Sequence, residues 1–328
     1  MVILADAEGP LLEQILDATY DSWHDGLSRR AYGRYFAAEA ATAWGQRHVR
    51  RLALVEDGQV LASAKVYEVE AVLDGRDVRV VGLGAIFTAI AHRRRGMARE
   101  LIERILERSA AEGAELALLF SEIGPGYYER LGFSPLPAAV DLGLRLFESP
   151  RGGAPATLVR GGADRDLAAI VAMGEMRSAP YRFHLRRDRD AVSYAIATQR
   201  LLAGFAPSGA RELQFFIAEE GASAVAYVVV SVRNAAAGPE WMIEECGDRD
   251  PTGARVGAIL QVLIARSPAE RRPSIRAWLP PAFHPPQVEV IARQPTAETM
   301  MARPLTRSAE AVRSLRAEDV LYWRADLF

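Results

Sequence analysis

The stretch RLALVEDGQVLASAKVYEVEAVLDGRDVRVVGLGAIFT, residues 51–88, holds three strand-like runs separated by Asp57-Gly58 and Asp74-Gly75. Asp-Gly between apolar runs is a strong hairpin signal, because a two-residue type I′ turn needs positive φ at both central positions. The sheet is therefore expected to be an antiparallel meander as far as about Thr88. The period then changes. In HRRRGMARELIERIL, residues 92–106, Ala98, Leu101, Ile102 and Ile105 share one helical face, and Gly113 is placed to end the helix. The short apolar run ELALLF follows, and a helical crossover would lay it parallel to the strand before the helix. SEIGPGYYERLGF, residues 121–133, then offers a turn, one short helix and a return to strand. Upstream, residues 10–24 and 28–44 read as helices, the first with Leu11, Leu12, Ile15, Leu16 and Tyr20 at helical spacing and Pro10 in its first turn. The fold class expected is α/β, of the α+β mixed-sheet kind.

Residues 148–158, ESPRGGAPATL, carry two prolines, two glycines and no core pattern, and read as a linker. Beyond them the order of elements partly repeats: helices near 164–174 and 188–203, the hairpin pair LQFFIAEEG and SAVAYVVVSV, the strand EWMIEECG, and a helix from about Thr252. Two tandem copies of one architecture are expected, over residues 1–147 and 159–328, although residue-level similarity is too weak for a sequence repeat.

Composition narrows the partners. With a formal net charge of −2 over 328 residues, no global field draws the protein to nucleic acid or to a membrane. Lys65 is the sole lysine among 40 basic residues, a bias that reads as coding composition. Cys246 is the only cysteine and the five histidines are scattered, so neither an internal disulfide nor a metal site is expected. The N-terminus meets Asp6 and Glu8 too early for a secretory apolar region, and no run approaches the length of a spanning helix, so the location expected is cytoplasmic. RSAPYRFHLRRDRD, residues 177–190, reads as a solvated loop, and WLPPAFHPPQVEV, from Trp278, as an irregular connection.

Three consecutive arginines at the mouth of a helix read either as a solvated basic turn or as an anion site. The helix N-terminus presents unpaired N–H groups and partial positive charge. Gly96 allows close approach, Ala98 keeps the next turn narrow, and Arg93, Arg94 and Arg95 can add charge-assisted contacts. The shape implied is a pyrophosphate.

Arg93-Arg94-Arg95-Gly96-Met97-Ala98 resembles the R/Q-x-x-G-x-G/A motif of the GCN5-related N-acetyltransferases (the GNAT superfamily), and Tyr128 to Phe133 resembles that family's YxxxGF segment. The likeness covers roughly residues 1–145. Val81 to Gly132 also resembles the N-terminal domain of the enhanced-intracellular-survival acetyltransferases, which have tandem folds, an RRRG and a Ser-Glu pair matched here by Ser121-Glu122. FSEIGPGYYERLGF is similar to the tail of the catalytic domain in fungal lysine N6-acetyltransferases.

The resemblance implies acetyl-CoA as co-substrate, with its pyrophosphate on residues 93–98 and with Ser121 among the cofactor-binding residues. Its pantetheine arm would pair with main-chain groups of Ile86, Phe87 and Thr88, and main-chain N–H there would hold the thioester oxygen as charge develops. It places Tyr128 as general acid, with Tyr127 the neighbour to be told apart from it. The attacking amine must lose a proton, and two carboxylates are candidates to take it. One is Glu122, for which a solvated glutamate is the plainer reading. The other, implied by the resemblance to the enhanced-intracellular-survival acetyltransferases, is the α-carboxyl of Phe328, for which an aromatic end tucked into the core is the plainer reading. The acceptor would be a primary amine: a lysine side chain, a polyamine, or the cysteinyl amine of a small thiol precursor. An acyl-CoA sensor without turnover is the non-enzymatic alternative, and the oligomeric state is left open. In the second half the turn CGDRDPTGARVGAIL has Gly253 and Ala254 near a helix start, but Asp248 and Asp250 stand where the first half has arginines, so CoA binding is not expected there. Asp250 is the expected helix cap.

Overall fold

The computed structural model describes residues 1–137, 140–147, 158–236, 238–268, 271–280 and 283–328. A short strand, β1 (Ile3–Asp6), precedes helices α1 (Gly9–Trp23), α2 (Arg29–Ala40) and α3 (Ala43–His48). The single helix expected over 28–44 is thus two. Thr42 stops the first and caps the second, its Oγ1 accepting the Gly45 N–H at 3.0 Å.

The meander forms as expected from β2 (Val49–Glu56), β3 (Gln59–Leu73) and β4 (Arg76–Thr88). Both Asp-Gly pairs adopt positive φ, at 49° and 76° for Asp57 and Gly58 and at 52° and 77° for Asp74 and Gly75. The crossover helix α4 (Met97–Ala111) leads to β5 (Leu116–Ser121), which pairs parallel to β4 from Val80↔Leu116 to Leu83↔Leu119. Leu101, Ile102 and Ile105 of α4 are fully buried against Leu52, Val66, Leu83 and Leu119. A short α5 (Gly126–Glu129) and β6 (Ser134–Pro135) follow.

The next elements are β7 (Val140–Leu146), β8 (Leu158–Gly161), α6 (Leu167–Ser178), β9 (Phe183–Leu185), α7 (Arg189–Phe205), β10 (Arg211–Glu220), β11 (Ser223–Ala235), β12 (Gly238–Asp248), α8 (Ala254–Ala265), β13 (Ser274–Ala277), β14 (Val288–Pro295), β15 (Thr299–Pro304) and β16 (Val320–Leu321). Meander, crossover helix and parallel strand recur: β12 pairs antiparallel to β11 and parallel to β13. The linker expected at 148–158 lies outside the described residues except for Leu158, which begins β8.

Strand order shows how the two halves are joined. The first sheet runs β1-β2-β3-β4-β5-β15-β6, and the second runs β14-β7-β13-β12-β11-β10-β8. Late strand β15 therefore lies between β5 and β6, while early strand β7 lies between β13 and β14. Each sheet is completed by a strand from the other half, so the halves cannot part without breaking ladder hydrogen bonds.

The arginine-rich stretch 177–190 is not the solvated loop expected of it. Phe183 is fully buried, and β9 pairs with both β3 and β16. Arg182, Arg186 and Arg187 meet Asp74, Asp77 and Glu245, carboxylates far away in sequence. The proline-rich stretch from Trp278 is irregular as far as Gln287, apart from residues 281–282 outside the description, and Trp278 itself is buried.

Candidate active site

The cleft begins where β4 and β5 part. Their pairing stops at Leu83↔Leu119, whereas β4 stays paired to β3 up to Ala62↔Thr88, across a bulge that puts Ala85 at φ 47°. Among the described residues no strand covers the β5-facing edge of β4 beyond Leu83, so main-chain groups on that edge through Ile86, Phe87 and Thr88 have no ladder partner. The Phe87 side chain is buried, with its ring 6.2 Å from that of Trp23. Its side chain belongs to the core, while its backbone lies along the open edge of β4.

The arginine turn sits at the end of this edge. Gly96 is the N-cap of α4 at φ 82°, a conformation that costs glycine least. The first backbone bond at that end runs from the Glu100 N–H to the Gly96 carbonyl, leaving the N–H groups of Met97 and Ala98 without an acceptor among the described residues. Arg93, Arg94 and Arg95 are exposed, and none has an ion-pair partner among the described residues. Arg93 Nε donates to the Thr88 carbonyl at 3.3 Å, tying the turn to the end of β4. Free helix donors and unneutralised guanidinium groups meet beside an open strand edge, which fits a pyrophosphate followed by an extended amide-bearing arm.

Across the cleft, β5 ends in Ser121, whose Oγ donates to the Gly124 carbonyl at 2.7 Å and fixes the turn into α5. Ser121 is 1% exposed, so its hydroxyl serves the turn. Tyr128 is buried among Leu83, Leu119, Leu131 and Phe133. Burial pushes its phenol up to about 12, with Tyr127 and Glu122 adding to the shift. Tyr127 is only half-buried, and the two rings meet edge-on at 5.1 Å. Glu122 is exposed, one residue beyond the strand.

Phe328 lies on the opposite face of β4, over Gly82 and Gly84. A Cβ on Gly82 would stand 2.7 Å from its ring, and one on Gly84 would stand 2.6 Å from its carboxyl carbon and 2.8 Å from a carboxyl oxygen. The ring packs 5.0 Å from Tyr67 and 5.2 Å from Phe120. The aromatic end is tucked in, and the same tuck carries the Phe328 carboxyl to Gly84, the first β4 position past the β5 pairing. Two glycines spaced by two in a strand signal close approach of another backbone, so Gly82 and Gly84 are the cue in the sequence that marks this seat.

Opposite Gly84 on β3 is Lys65. Its Nζ donates to both Glu39 oxygens at 2.6 Å, and the Tyr194 hydroxyl donates to Glu39 Oε1 at 2.9 Å. Burial lowers the Lys65 pKa, with the Glu39 charge opposing that. This buried group ties α2 and β3 to α7 of the second half. A cavity of about 510 Å³ adjoins it, lined by Trp44, Tyr67, Tyr194, Arg47, Asp188 and Phe328 among others. Its walls carry both acids and arginines.

The second half repeats the helix mouth and closes it. Gly253 is the N-cap of α8 at φ 75°. Here Asp248 Oδ2 accepts the N–H groups of Arg255 at 2.8 Å and Val256 at 3.2 Å. Asp248 is 2% exposed, and burial raises its pKa against those bonds. A carboxylate of the protein itself thus occupies the anion position. Asp250, the expected cap, instead closes a local turn by accepting from Thr252 N and Oγ1 at 2.9 and 2.8 Å. Phe283 further crowds this mouth, 2.6 Å from where a Cβ on Gly253 would be.

Among the described residues no group of three His, Cys, Asp or Glu side chains is placed to hold a metal, and no helix is long and apolar enough to cross a membrane.

Residues 12–136 match a family model described as an acetyltransferase (GNAT) domain. Comparison with curated proteins gives no match. Among solved structures, a GCN5-related N-acetyltransferase from Anabaena variabilis is similar over 93% of this chain and 73% of its own, at 10% identity and a TM-score of 0.67. One from Kribbella flavida is similar over 93% and 71%, at 17% identity and 0.64. An Eis protein from Mycobacterium abscessus is similar over 93% and 73%, at 14% identity and 0.55. At these identities the likeness is one of fold, and it extends through both halves.

Proposed function

We propose, for a protein whose residues 12–136 belong to the GNAT acetyltransferases, that it transfers the acetyl group of acetyl-CoA to a primary amine by direct attack in a ternary complex. One observation carries the reading: among the described residues, a helix mouth whose first N–H groups lack acceptors and whose Arg93, Arg94 and Arg95 lack ion-pair partners opens beside an edge of β4 that no strand covers.

In this reading Arg93 to Ala98 hold the pyrophosphate, and main-chain groups of Ile86, Phe87 and Thr88 align the pantetheine arm. Those N–H groups also bear the charge that grows on the thioester oxygen as the amine nitrogen bonds to the carbonyl carbon. The Phe328 carboxyl takes the amine proton, favoured over exposed Glu122 by its seat at Gly84. As the C–S bond breaks, Tyr128 donates its proton to the departing thiolate. A phenol held near 12 stays protonated at neutral pH, which an acid needs. Cys246 is fully buried in the second half, so an acyl-cysteine route has no support. The second half, its anion position filled by Asp248, binds no CoA and instead carries Phe328 to the first. The acceptor approaches through the cavity region between α3, α7 and β3.

The test is thiol release from acetyl-CoA against a panel of amines, polyamines, lysyl peptides and cysteinyl conjugates. Turnover with one class, lost in Tyr128→Phe while acetyl-CoA still binds, supports the reading. Binding without turnover across the panel would point to a sensor.

A further inference from the structure

Phe328 reaches Gly84 because residues 322–328 continue from β16, at the margin of the first sheet, past the second core, where Trp323 packs, and back over β4. A buried ionic cluster anchors that run. Arg187, between β9 and α7, places Nη1 2.6 Å from Glu245 Oε2 and Nε 3.3 Å from Asp326 Oδ1. The three side chains are 15%, 5% and 5% exposed. Asp326 also accepts the Trp323 N–H at 2.8 Å, closing a turn two residues before Phe328. Glu245 belongs to β12 and accepts the hydroxyl of Tyr227, itself 1% exposed. The anchor is thus bolted into the second core at one end and grips the closing turn at the other.

We propose that Arg187 is a positioning residue for transfer: by bridging Glu245 and Asp326 it holds the Phe328 carboxyl over Gly84. The inference rests on the reading of Phe328 as base. A planar guanidinium suits the task, because two separate N–H edges engage two carboxylates at once, whereas an ammonium is a point charge. Without the cation, two buried carboxylates would face each other. The exposed-side remedy is for the Asp326 turn to swing outward, taking Phe328 with it. The second half would then act on chemistry in the first through one arginine.

The experiment compares Arg187→Met, Arg187→Lys, Asp326→Asn, removal of Phe328, and Arg187→Met combined with that removal. For each, kcat, the pH profile of kcat and acetyl-CoA affinity are measured, with circular dichroism to verify folding. Asp326→Asn keeps an acceptor for Trp323 and spares the core, so it covers the case in which Arg187→Met fails to fold. Arg187→Met and Asp326→Asn should lower kcat by about 10²-fold, the cost of misplacing a reacting group by about 1 Å. Acetyl-CoA affinity should hold, the acid limb of the profile should change as it does without Phe328, and Arg187→Lys should recover part of the loss. The combined variant should be no slower than removal of Phe328 alone, since both act through one group. Multiplying losses, or unchanged kcat in the folded Arg187 and Asp326 variants beside a lost kcat without Phe328, would overturn the inference alone. Unchanged kcat after removal of Phe328 would overturn the base reading and the inference with it.

Discussion

Gly84→Ala puts the proposed seat of the base under direct strain. The new methyl would stand 2.6 Å from the carboxyl carbon of Phe328 and 3.2 Å from the Tyr67 ring. Carbon atoms rest at about 3.5 Å, so Phe328 must withdraw by roughly 1 Å. The strand itself does not need a glycine here, because Gly84 has no positive φ. Overpacking against a half-buried terminal residue should cost about 1 kcal/mol, the low end for such changes. A 1 Å error in a reacting group costs about 10²-fold in rate, so kcat should fall by that order while acetyl-CoA affinity, set at the arginine turn, stays put. Stopped-flow thiol release with the preferred amine, paired with calorimetry for acetyl-CoA, separates the two. A folded Gly84→Ala variant that keeps kcat within about twofold would refute the seat, and with it the role given to Phe328.

Other consequences follow from the same geometry. Arg93→Ala and Arg95→Ala should each weaken acetyl-CoA by about tenfold, as loss of an exposed charge-assisted contact does, and the weakening should shrink at high salt, as titration at two ionic strengths would reveal. Tyr128→Phe should lower kcat by about 10²- to 10³-fold with little effect on binding, whereas Tyr127→Phe should not, by the same thiol assay. Because the proton on Tyr128 is the working form and burial holds it up to about 12, activity should be lost only as pH rises through that value. The wild-type profile should therefore rise with pH as base and amine deprotonate, and no falling limb from Tyr128 should enter below about pH 11. Asp248→Ala strips the cap of α8 and should cost about 1–2 kcal/mol in denaturant unfolding.

The first half is legible in the sequence because its signals are local. Two Asp-Gly turns, one change of period and one glycine before a helix determine the meander, α4 and the parallel β5, and the arginine turn lies where its motif places it. What escapes depends on contacts distant in sequence. Alternation tells a strand which face to bury and not which neighbour to pair with, so nothing in Val140–Leu146 or Thr299–Pro304 announces that β7 and β15 trade sheets. Charge misleads for the same reason: Arg182, Arg186 and Arg187 look solvated beside one another, and their partners Asp74, Asp77 and Glu245 arrive from other elements. Asp248 and Asp250 both read as hostile to a phosphate, but which of them caps α8 is decided by how β12 ends.

Calorimetric titration of acetyl-CoA into the wild type and into the Arg93→Ala, Arg95→Ala double variant tests the central claim most directly. The expected result is a single site per protein molecule in the wild type and a site lost or severely weakened in a double variant that keeps its fold. No binding by the wild type, or binding indifferent to both arginines, would contradict that claim.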